Sequence, residues 1–167
     1  LEDDATRVDL TSLGPAPRHL AANLPYNIGT ALLTGWLTCE AEVPGRFASM
    51  TLMFQREVAL RITAAQGDKH YGRLAVLASW LCPCERLFDI PPEAFTPAPK
   101  VTSSVVQLIP RKQPLLPLKL SALETVTQAA FGQRRKMLRQ SLKGLALAPE
   151  ALCEAADCAP TDRAEDV

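Results

Sequence analysis

Strand-like and helix-like segments alternate along residues 18–109, and this alternation constrains the fold of the chain more than any other feature of its sequence. Short apolar or β-branched runs predict strands, and apolar residues three or four positions apart predict helices. The predicted strands are Arg18–Ala22, Met50–Phe54, Arg86–Ile90 and Thr102–Ile109, and the predicted helices are Ile28–Leu37, Arg56–Ala65 and Arg73–Leu81. Because such alternation is typical of α/β proteins, we expect a sheet with helices packed against it.

Composition narrows the class of protein further. With 47% hydrophobic and 22% charged residues among 167, the chain can bury a core. Its 18 basic and 18 acidic side chains balance, which excludes a generally basic surface and leaves only local patches for a polyanion. No apolar run reaches the roughly 18 residues that a membrane span needs, so we expect a soluble protein with no membrane partner.

The five cysteines are an odd number in a chain without a secretory signal, which predicts free thiols in a reducing, cytoplasmic compartment. Cys82 and Cys84 have no second pair of cysteines spaced to complete a zinc site, and only His19 and His70 could supply imidazole ligands. We therefore expect no metal site and interpret the cysteines as ordinary buried residues.

Three prolines, Pro110, Pro114 and Pro117, mark a domain boundary, because proline interrupts both strands and helices. We predict three parts in chain order: an α/β domain over residues 1–110, a linker over 111–118 and a small helical domain over 119–167.

The predicted helical domain opens with a capping-box pattern, Ser121 followed by Glu124, so a helix should begin there. The side chains that this helix is predicted to bury are those of Leu123, Val126 and Ala130. Between Phe131 and Gly144 the chain carries five basic residues and no acid, and Gln133–Lys143 reads as a further helix with a basic face. Such a face is either simply solvated or a surface for a polyanion.

The first candidate site is Asn23-Leu24-Pro25-Tyr26, at the carboxyl end of the first predicted strand, where open α/β sheets bind their ligands. Pro25 restricts the backbone, so the Leu24 carbonyl and the Asn23 amide present two acceptors in fixed directions. Two acceptors can orient an exocyclic aromatic amine, and Tyr26 offers a face on which an unstacked base can lie. The alternative is a simple Asx-type turn with a core tyrosine.

The second candidate site is the run from Phe95 to Ser103, in which prolines at 97 and 99 stiffen a loop directly before the last predicted strand. A rigid Phe95 would close the other side of a base pocket, and Lys100 would meet a phosphate. The alternative is a proline-rich crossover with Phe95 in the core.

Five motifs occur in the same order as in a known family: Asn23-Leu24-Pro25-Tyr26-Asn27-Ile28, Gln55-Arg56-Glu57-Val58, Tyr71-Gly72-Arg73-Leu74, the run Phe95–Val106 and Phe131-Gly132-Gln133-Arg134-Arg135-Lys136. Together they make the whole chain resemble the KsgA-type small-subunit ribosomal RNA adenine dimethyltransferases. The resemblance implies a Rossmann-like methyltransferase domain, a small all-helical carboxyl-terminal domain and S-adenosylmethionine as methyl donor. It also implies that the substrate is two neighbouring adenosines near the 3′ end of small-subunit RNA in a pre-ribosomal particle.

The resemblance also implies roles for individual residues. The catalytic set is Asn23 and the Leu24 carbonyl, which would hold the adenine N6 with Pro25 fixing the loop, and Tyr26 and Phe95, which would sandwich the ring. The residues implied for the cofactor are Asp4, at its adenine amine, and Asn23, at its methionine end. The residues expected to face RNA are Lys100, Arg134, Arg135, Lys136 and Arg139.

One family feature is missing from the sequence. Methyltransferases of this type open with a strand and a glycine-rich turn, yet none of the eight glycines here forms a G-x-G pattern. We therefore expect a carboxyl-terminal part of a longer enzyme, incomplete at the amino end and beginning at the third strand of the fold. Such a piece should bind the cofactor weakly, and its uncovered strand edge should make it poorly soluble or lead it to pair with another chain.

Three other functions fit part of the sequence. A related dimethyltransferase that acts on large-subunit RNA and confers antibiotic resistance would share both aromatic motifs. A DNA adenine methyltransferase would share the Asn-x-Pro-Tyr pattern, but the Phe95 loop and the helix with Arg134 fit it less well. A non-catalytic ribosome assembly factor would bind the pre-ribosomal particle without transferring a methyl group.

Overall fold

The computed structural model describes residues 4–5, 7–8 and 10–167. Contacts divide the chain into two compact units. The first, here called the sheet unit, comprises Leu1–Thr63 and Ala78–Pro117, and the second, the helical unit, comprises Ala64–Leu77 and Leu118–Val167. The division at 111–118 stays a prediction, but Ala64–Leu77 precedes that linker in the chain and nevertheless groups with the helical unit. One reason is the edge-to-face contact between Tyr71 and Phe131, whose ring centroids are 5.8 Å apart.

The strands and helices among residues 18–109 lie close to their predicted positions. The strands are β1 (Arg18–Asn23), β2 (Phe47–Gln55), β3 (Cys84–Ile90) and β4 (Ser103–Leu108). The α-helices are α1 (Gly29–Glu42), α2 (Arg56–Thr63), α3 (Arg73–Leu81), α4 (Leu120–Gly132), α5 (Leu138–Ser141) and α6 (Pro149–Ala155). Short 3₁₀ helices cover Leu10–Leu13, Pro92–Ala94 and Leu142–Gly144.

The sheet is mixed, in the order β1-β2-β4-β3. β1 is parallel to β2, whereas β4 runs antiparallel to both β2 and β3. The inner strands β2 and β4 carry fully buried side chains, among them Met50, Leu52, Val106 and Leu108. The sheet with packed helices that the alternation predicted is therefore confirmed, and its parallel pair places the ends of β1 and β2 at one edge.

The start of α4 differs from the prediction. α4 begins at Leu120 with Lys119 as its N-cap residue, so Ser121 lies inside the first turn and the capping-box prediction is wrong. Ala130 is buried as expected, but Val126 is 46% exposed and Thr127 is buried in its place. The Thr127 hydroxyl donates to the Leu123 carbonyl at 2.7 Å, which satisfies its polar group inside the helix.

The predicted helix Gln133–Lys143 is also wrong, because only Leu138–Ser141 forms an α-helix within it. Backbone contacts with residues that are distant in sequence keep the residues before Leu138 from forming a helix. Met137 forms a β-bridge with Arg163, and the Leu138 N–H donates to the Asp162 carbonyl at 2.8 Å. Leu138 and Leu142 are buried, so the apolar side of the prediction agrees with the structure, while the basic residues at 134–136 lie in a turn.

All five cysteines are free thiols. Cys82 is buried just after α3, and Cys84 is the first residue of β3, where burial raises the pKa of its thiol to about 12. Within the described part of the chain, no group of three His, Cys, Asp or Glu side chains could hold a metal ion. Nor does any helix there have the length and apolar character needed to cross a membrane.

Candidate active site

The Asn-Leu-Pro-Tyr loop follows β1 and is held by packing on one side and by hydrogen bonds on the other. Leu24 is buried, and a Cβ added at Gly29 would lie 3.4 Å from the Leu24 Cβ and from the Phe54 ring. The Pro25 carbonyl accepts the backbone N–H groups of Ile28 (3.2 Å) and Gly29 (2.9 Å). The loop is therefore fixed to the start of α1, with Asn23 and Tyr26 left exposed beside it.

A cleft of about 320 Å³ opens at this loop. Its lining consists of Asn23, Leu24, Pro25, Tyr26, Phe95, Pro97 and Pro99. The structure thus brings all five residues of the predicted catalytic set to one cleft, although 69 positions of sequence separate Tyr26 from Phe95. The volume lies within the range of about 300–1,000 Å³ that is usual for small-molecule sites.

Ser103 contacts this cleft through Tyr26. The Tyr26 hydroxyl and the Ser103 Oγ are 2.7 Å apart and share a hydrogen bond. Ser103 is fully buried at the start of β4, whereas Tyr26 is 39% exposed. Sequence reasoning gave Ser103 no role. A pair of serines in a run of β-branched strand residues was the available signal, because a buried hydroxyl needs a partner.

Ser104, which follows Ser103 on β4, belongs to a polar cluster that is centred on Asp89. The Ser104 Oγ donates to Asp89 Oδ1 at 2.6 Å, as does Arg86 Nη1, and Arg56 Nε lies 3.3 Å from Asp89 Oδ2. The hydrogen bonds from Ser104 and Arg86 hold the pKa of Asp89 below its ordinary value. Sequence reasoning missed Asp89, and Arg56 was noted only as part of a motif.

Replacing Asp89 by asparagine should produce a pH-dependent loss of stability. A carboxyl group whose pKa is lowered by folding stabilises the folded state above its unfolded pKa of about 3.9, and this stabilisation is lost as the pH falls through the folded value. The free energies of unfolding of Asp89→Asn and the unaltered chain should therefore differ at pH 7 and converge as the pH falls through the lowered pKa of Asp89. Urea titrations at several pH values measure this.

The matched control for this change is Glu85→Gln, which neutralises an exposed carboxylate on the same strand. It should leave the free energy of unfolding nearly unchanged across the same pH range. A difference between Asp89→Asn and the unaltered chain that persists undiminished at the lowest pH would contradict the role of the charge.

The two predicted cofactor residues are placed differently. Asn23 lies at the end of β1 and lines the cleft. Asp4 is exposed, forms an ion pair with Arg7 at 3.8 Å, and is not one of the described residues that line the cleft. Only Asn23 is therefore brought to the other site residues.

The predicted RNA-facing residues are all exposed. Lys100 belongs to the sheet unit, in the loop before β4, and Arg139 lies on α5 of the helical unit. Arg134 takes part in the structure of the helical unit, since its guanidinium pairs with Glu165 and donates to the Lys69 carbonyl. Its neighbours Arg135 and Lys136 lie in the same turn.

Known proteins resemble this chain in sequence. The model of the family described as ribosomal RNA adenine dimethylase matches residues 16–156. A ribosomal RNA small subunit methyltransferase A from Rhodospirillum rubrum is 54% identical over 167 residues, which are all of this chain and 56% of that protein. The protein of the same name from Xanthobacter autotrophicus is 56% identical over 168 residues, or 58% of its length. The chain thus spans little more than half of these relatives.

Solved structures resemble it in fold. A dimethyladenosine transferase from Plasmodium falciparum superimposes with a TM-score of 0.80 at 24% identity, covering 100% of this chain and 66% of that one. The 23S rRNA methyltransferase ErmE superimposes with a TM-score of 0.62 at 26% identity, covering 92% of this chain and 62% of that one. These likenesses confirm the expected Rossmann-like methyltransferase fold. Because the family model matches most of the chain, including every residue of the cleft, the chain belongs to the ribosomal RNA adenine dimethylase family.

Proposed function

We propose that this chain forms part of an enzyme that transfers methyl groups to N6 of two adjacent adenosines near the 3′ end of small-subunit ribosomal RNA, as a step of ribosome maturation in the cytoplasm. The observation that carries the proposal is the cleft, in which an asparagine, a restrained backbone and two aromatic side chains meet in a member of this family. The names of the relatives favour small-subunit RNA as the substrate.

The residues of the cleft act by orienting the adenine. The side-chain oxygen of Asn23 and the carbonyl of Leu24 accept the two N–H groups of the N6 amine, which turns its lone pair toward the methyl donor. Tyr26 and Phe95 stack on the two faces of the base, a contact worth about 1–3 kcal/mol per base at other stacking sites. Positioning and exclusion of water then supply the rate enhancement, and no titrating base is needed.

S-adenosylmethionine, the methyl donor of this proposal, supplies a methyl carbon made electrophilic by its bond to a positively charged sulfur. The residues present fit it in part. Asn23 offers an exposed amide at the carboxyl end of a parallel strand, where α/β folds bind ligands, whereas Asp4 pairs with Arg7 and is not among the described residues that line the cleft. No glycine-rich turn accompanies them in the sequence, so we expect this chain alone to bind the donor weakly.

RNA would be held by the exposed basic residues outside the cleft. Lys100 follows the loop that carries Phe95 and so lies close in sequence to the base site. In the helical unit the exposed basic residues are Arg135, Lys136 and Arg139, and Arg134 contributes while it also holds the turn in place. Contacts of this kind bind phosphates and weaken as the salt concentration rises.

The proposed function is tested with a chimera in which the part of the Rhodospirillum rubrum relative that precedes the aligned region is joined to this chain. We expect transfer of labelled methyl groups from S-adenosylmethionine to two adenosines of immature small subunits. Transfer to large-subunit RNA instead would favour the activity named for ErmE. Binding of the small subunit without any methyl transfer would indicate an assembly factor.

A further inference from the structure

Tyr26 carries a hydroxyl group that the proposed stacking role does not require. A phenylalanine ring would stack on a base equally well, since stacking depends on the ring face. In the structure this hydroxyl shares a hydrogen bond with the Ser103 Oγ, which lies 2.7 Å away. The bond joins the loop after β1 to a strand 77 positions further along the chain. The hydrogen bond therefore restrains the orientation of the Tyr26 side chain, which is 39% exposed.

Ser103, the hydrogen-bond partner of Tyr26, is held in place by the sheet. Its side chain is fully buried, and its strand lies between two others. In the ladders of the sheet, Ser103 is opposite Gln55 on β2 and opposite Ile90 on β3. The preceding residue, Thr102, accepts the backbone N–H of Arg56 at 2.9 Å. The backbone of Ser103 is therefore held by the strands on both sides of it, and its buried side chain is closely surrounded.

The other aromatic wall of the cleft, Phe95, lies on the loop that leads into Ser103. Phe95 belongs to the same loop as Pro97 and Pro99, and this loop runs into Ser103 at the start of β4. Tyr26 is attached to the same residue by its hydroxyl. Tyr26 and the loop that carries Phe95 therefore both meet β4 at Ser103, the first through a hydrogen bond and the second through the chain itself.

We propose that Ser103 is a positioning residue for methyl transfer, which holds the Tyr26 ring so that an adenine is seated flat between Tyr26 and Phe95. This inference rests on the proposed function and adds a residue to it. Without the Ser103 hydroxyl the Tyr26 ring turns about its side-chain torsions, and a bound adenine is less often aligned for transfer. Misplacement of a reactant lowers the rate of the chemical step more than it lowers binding of a large substrate.

The proposal is tested in the chimera with Ser103→Ala, Tyr26→Phe and the double variant. We expect each single change to lower kcat by about tenfold and to leave KM for the small subunit within about twofold. Because both changes break the same bond, the double variant should be no slower than the slower single variant. Unchanged kcat in Ser103→Ala, or losses that multiply in the double variant, would overturn the proposal.

Ser104→Ala is the matched control. Ser104 is the neighbouring serine of β4, is equally buried and also donates a side-chain hydrogen bond, but its partner is Asp89 and not a residue of the cleft. Thermal unfolding should show that both serine variants fold and lose comparable stability. Only Ser103→Ala should lower kcat, and an equal loss in Ser104→Ala would show that Ser103 acts through stability alone.

Stacking of the base is measured separately from methyl transfer, with an RNA that carries 2-aminopurine in place of a target adenosine. We expect the fluorescence of the bound base to be quenched by the aromatic rings in the unaltered protein and in Ser104→Ala, and to rise in Ser103→Ala. Equal fluorescence with and without the Ser103 hydroxyl would refute the positioning role. Absence of methyl transfer by the unaltered chimera, by contrast, would refute the proposed function and leave the fluorescence result to decide the role of Ser103.

Discussion

Asn23→Ala is expected to lower methyl transfer by about 100-fold or more, a loss comparable to removal of one hydrogen-bonding group from other preorganised sites. Asn23 lies at the end of β1, lines the cleft, and supplies one of the two acceptors for the N6 amine. Alanine keeps the backbone and the stacking walls but removes that acceptor. Initial rates with labelled S-adenosylmethionine, measured in the chimera on immature small subunits, give the size of the effect.

RNA binding by Asn23→Ala should change by less than about twofold, because phosphate contacts by basic side chains supply most of the affinity for RNA. Asn27→Ala is the matched control, since Asn27 is an exposed asparagine of the same loop that does not line the cleft. It should transfer methyl groups at nearly the unaltered rate. Equal losses of transfer and binding in Asn23→Ala, or an equal loss in Asn27→Ala, would contradict the assigned role.

Glu40→Ala should lower the free energy of unfolding more than any other substitution proposed for the sheet unit. Glu40 is 2% exposed near the end of α1 and receives three backbone N–H groups from the turn that leads to β2. Its Oε1 accepts from Gly45 at 2.6 Å, and its Oε2 accepts from Arg46 at 3.0 Å and from Phe47 at 3.1 Å. Removing a carboxylate with such partners should lower the free energy of unfolding by roughly 3 kcal/mol or more.

The measurement is urea unfolding of this chain, followed by circular dichroism. Glu42→Ala is the control, because it removes an exposed glutamate two residues further along α1 and should cost less than about 0.5 kcal/mol. Glu40→Gln should also be destabilising, since an amide has one acceptor oxygen where the turn presents donors to two. Stability of Glu40→Ala within the range of Glu42→Ala would show that the three hydrogen bonds contribute little.

Local patterns predicted the secondary structure of residues 18–109 well. α3 was predicted over its observed span, and β1, β2, β3 and β4 differ from their predictions by no more than a few residues at either end. The predictions for these segments agree with the structure because apolar spacing and flanking prolines or glycines act within one element. The predictions failed where distant contacts decide the backbone. Residues 133–143 have a helical pattern, yet the bridge from Met137 to Arg163 ends it.

The candidate site was predicted in part. Motif chemistry and the family resemblance together predicted Asn23, Tyr26 and Phe95 as site residues, and the structure places all three in one cleft. Their roles stay predictions. Ser103 and Asp89 were not identified, because their roles depend on which strands become neighbours. The partner of Ser104 is not evident until β4 is known to lie beside β3, and the partner of Ser103 is not evident until the loop after β1 is known to reach the start of β4.

By itself, the sequence determined the identity of the chemical groups and the local shape of each segment, such as the restrained Asn-Leu-Pro-Tyr loop. The tertiary structure decided which of those groups meet. Tyr26 and Phe95 line one cleft, and Tyr26 reaches Ser103, only because a mixed sheet places the end of β1 and the start of β4 near each other. The physical reason is that strand order is set by the sum of many long-range contacts, which no local window of residues contains.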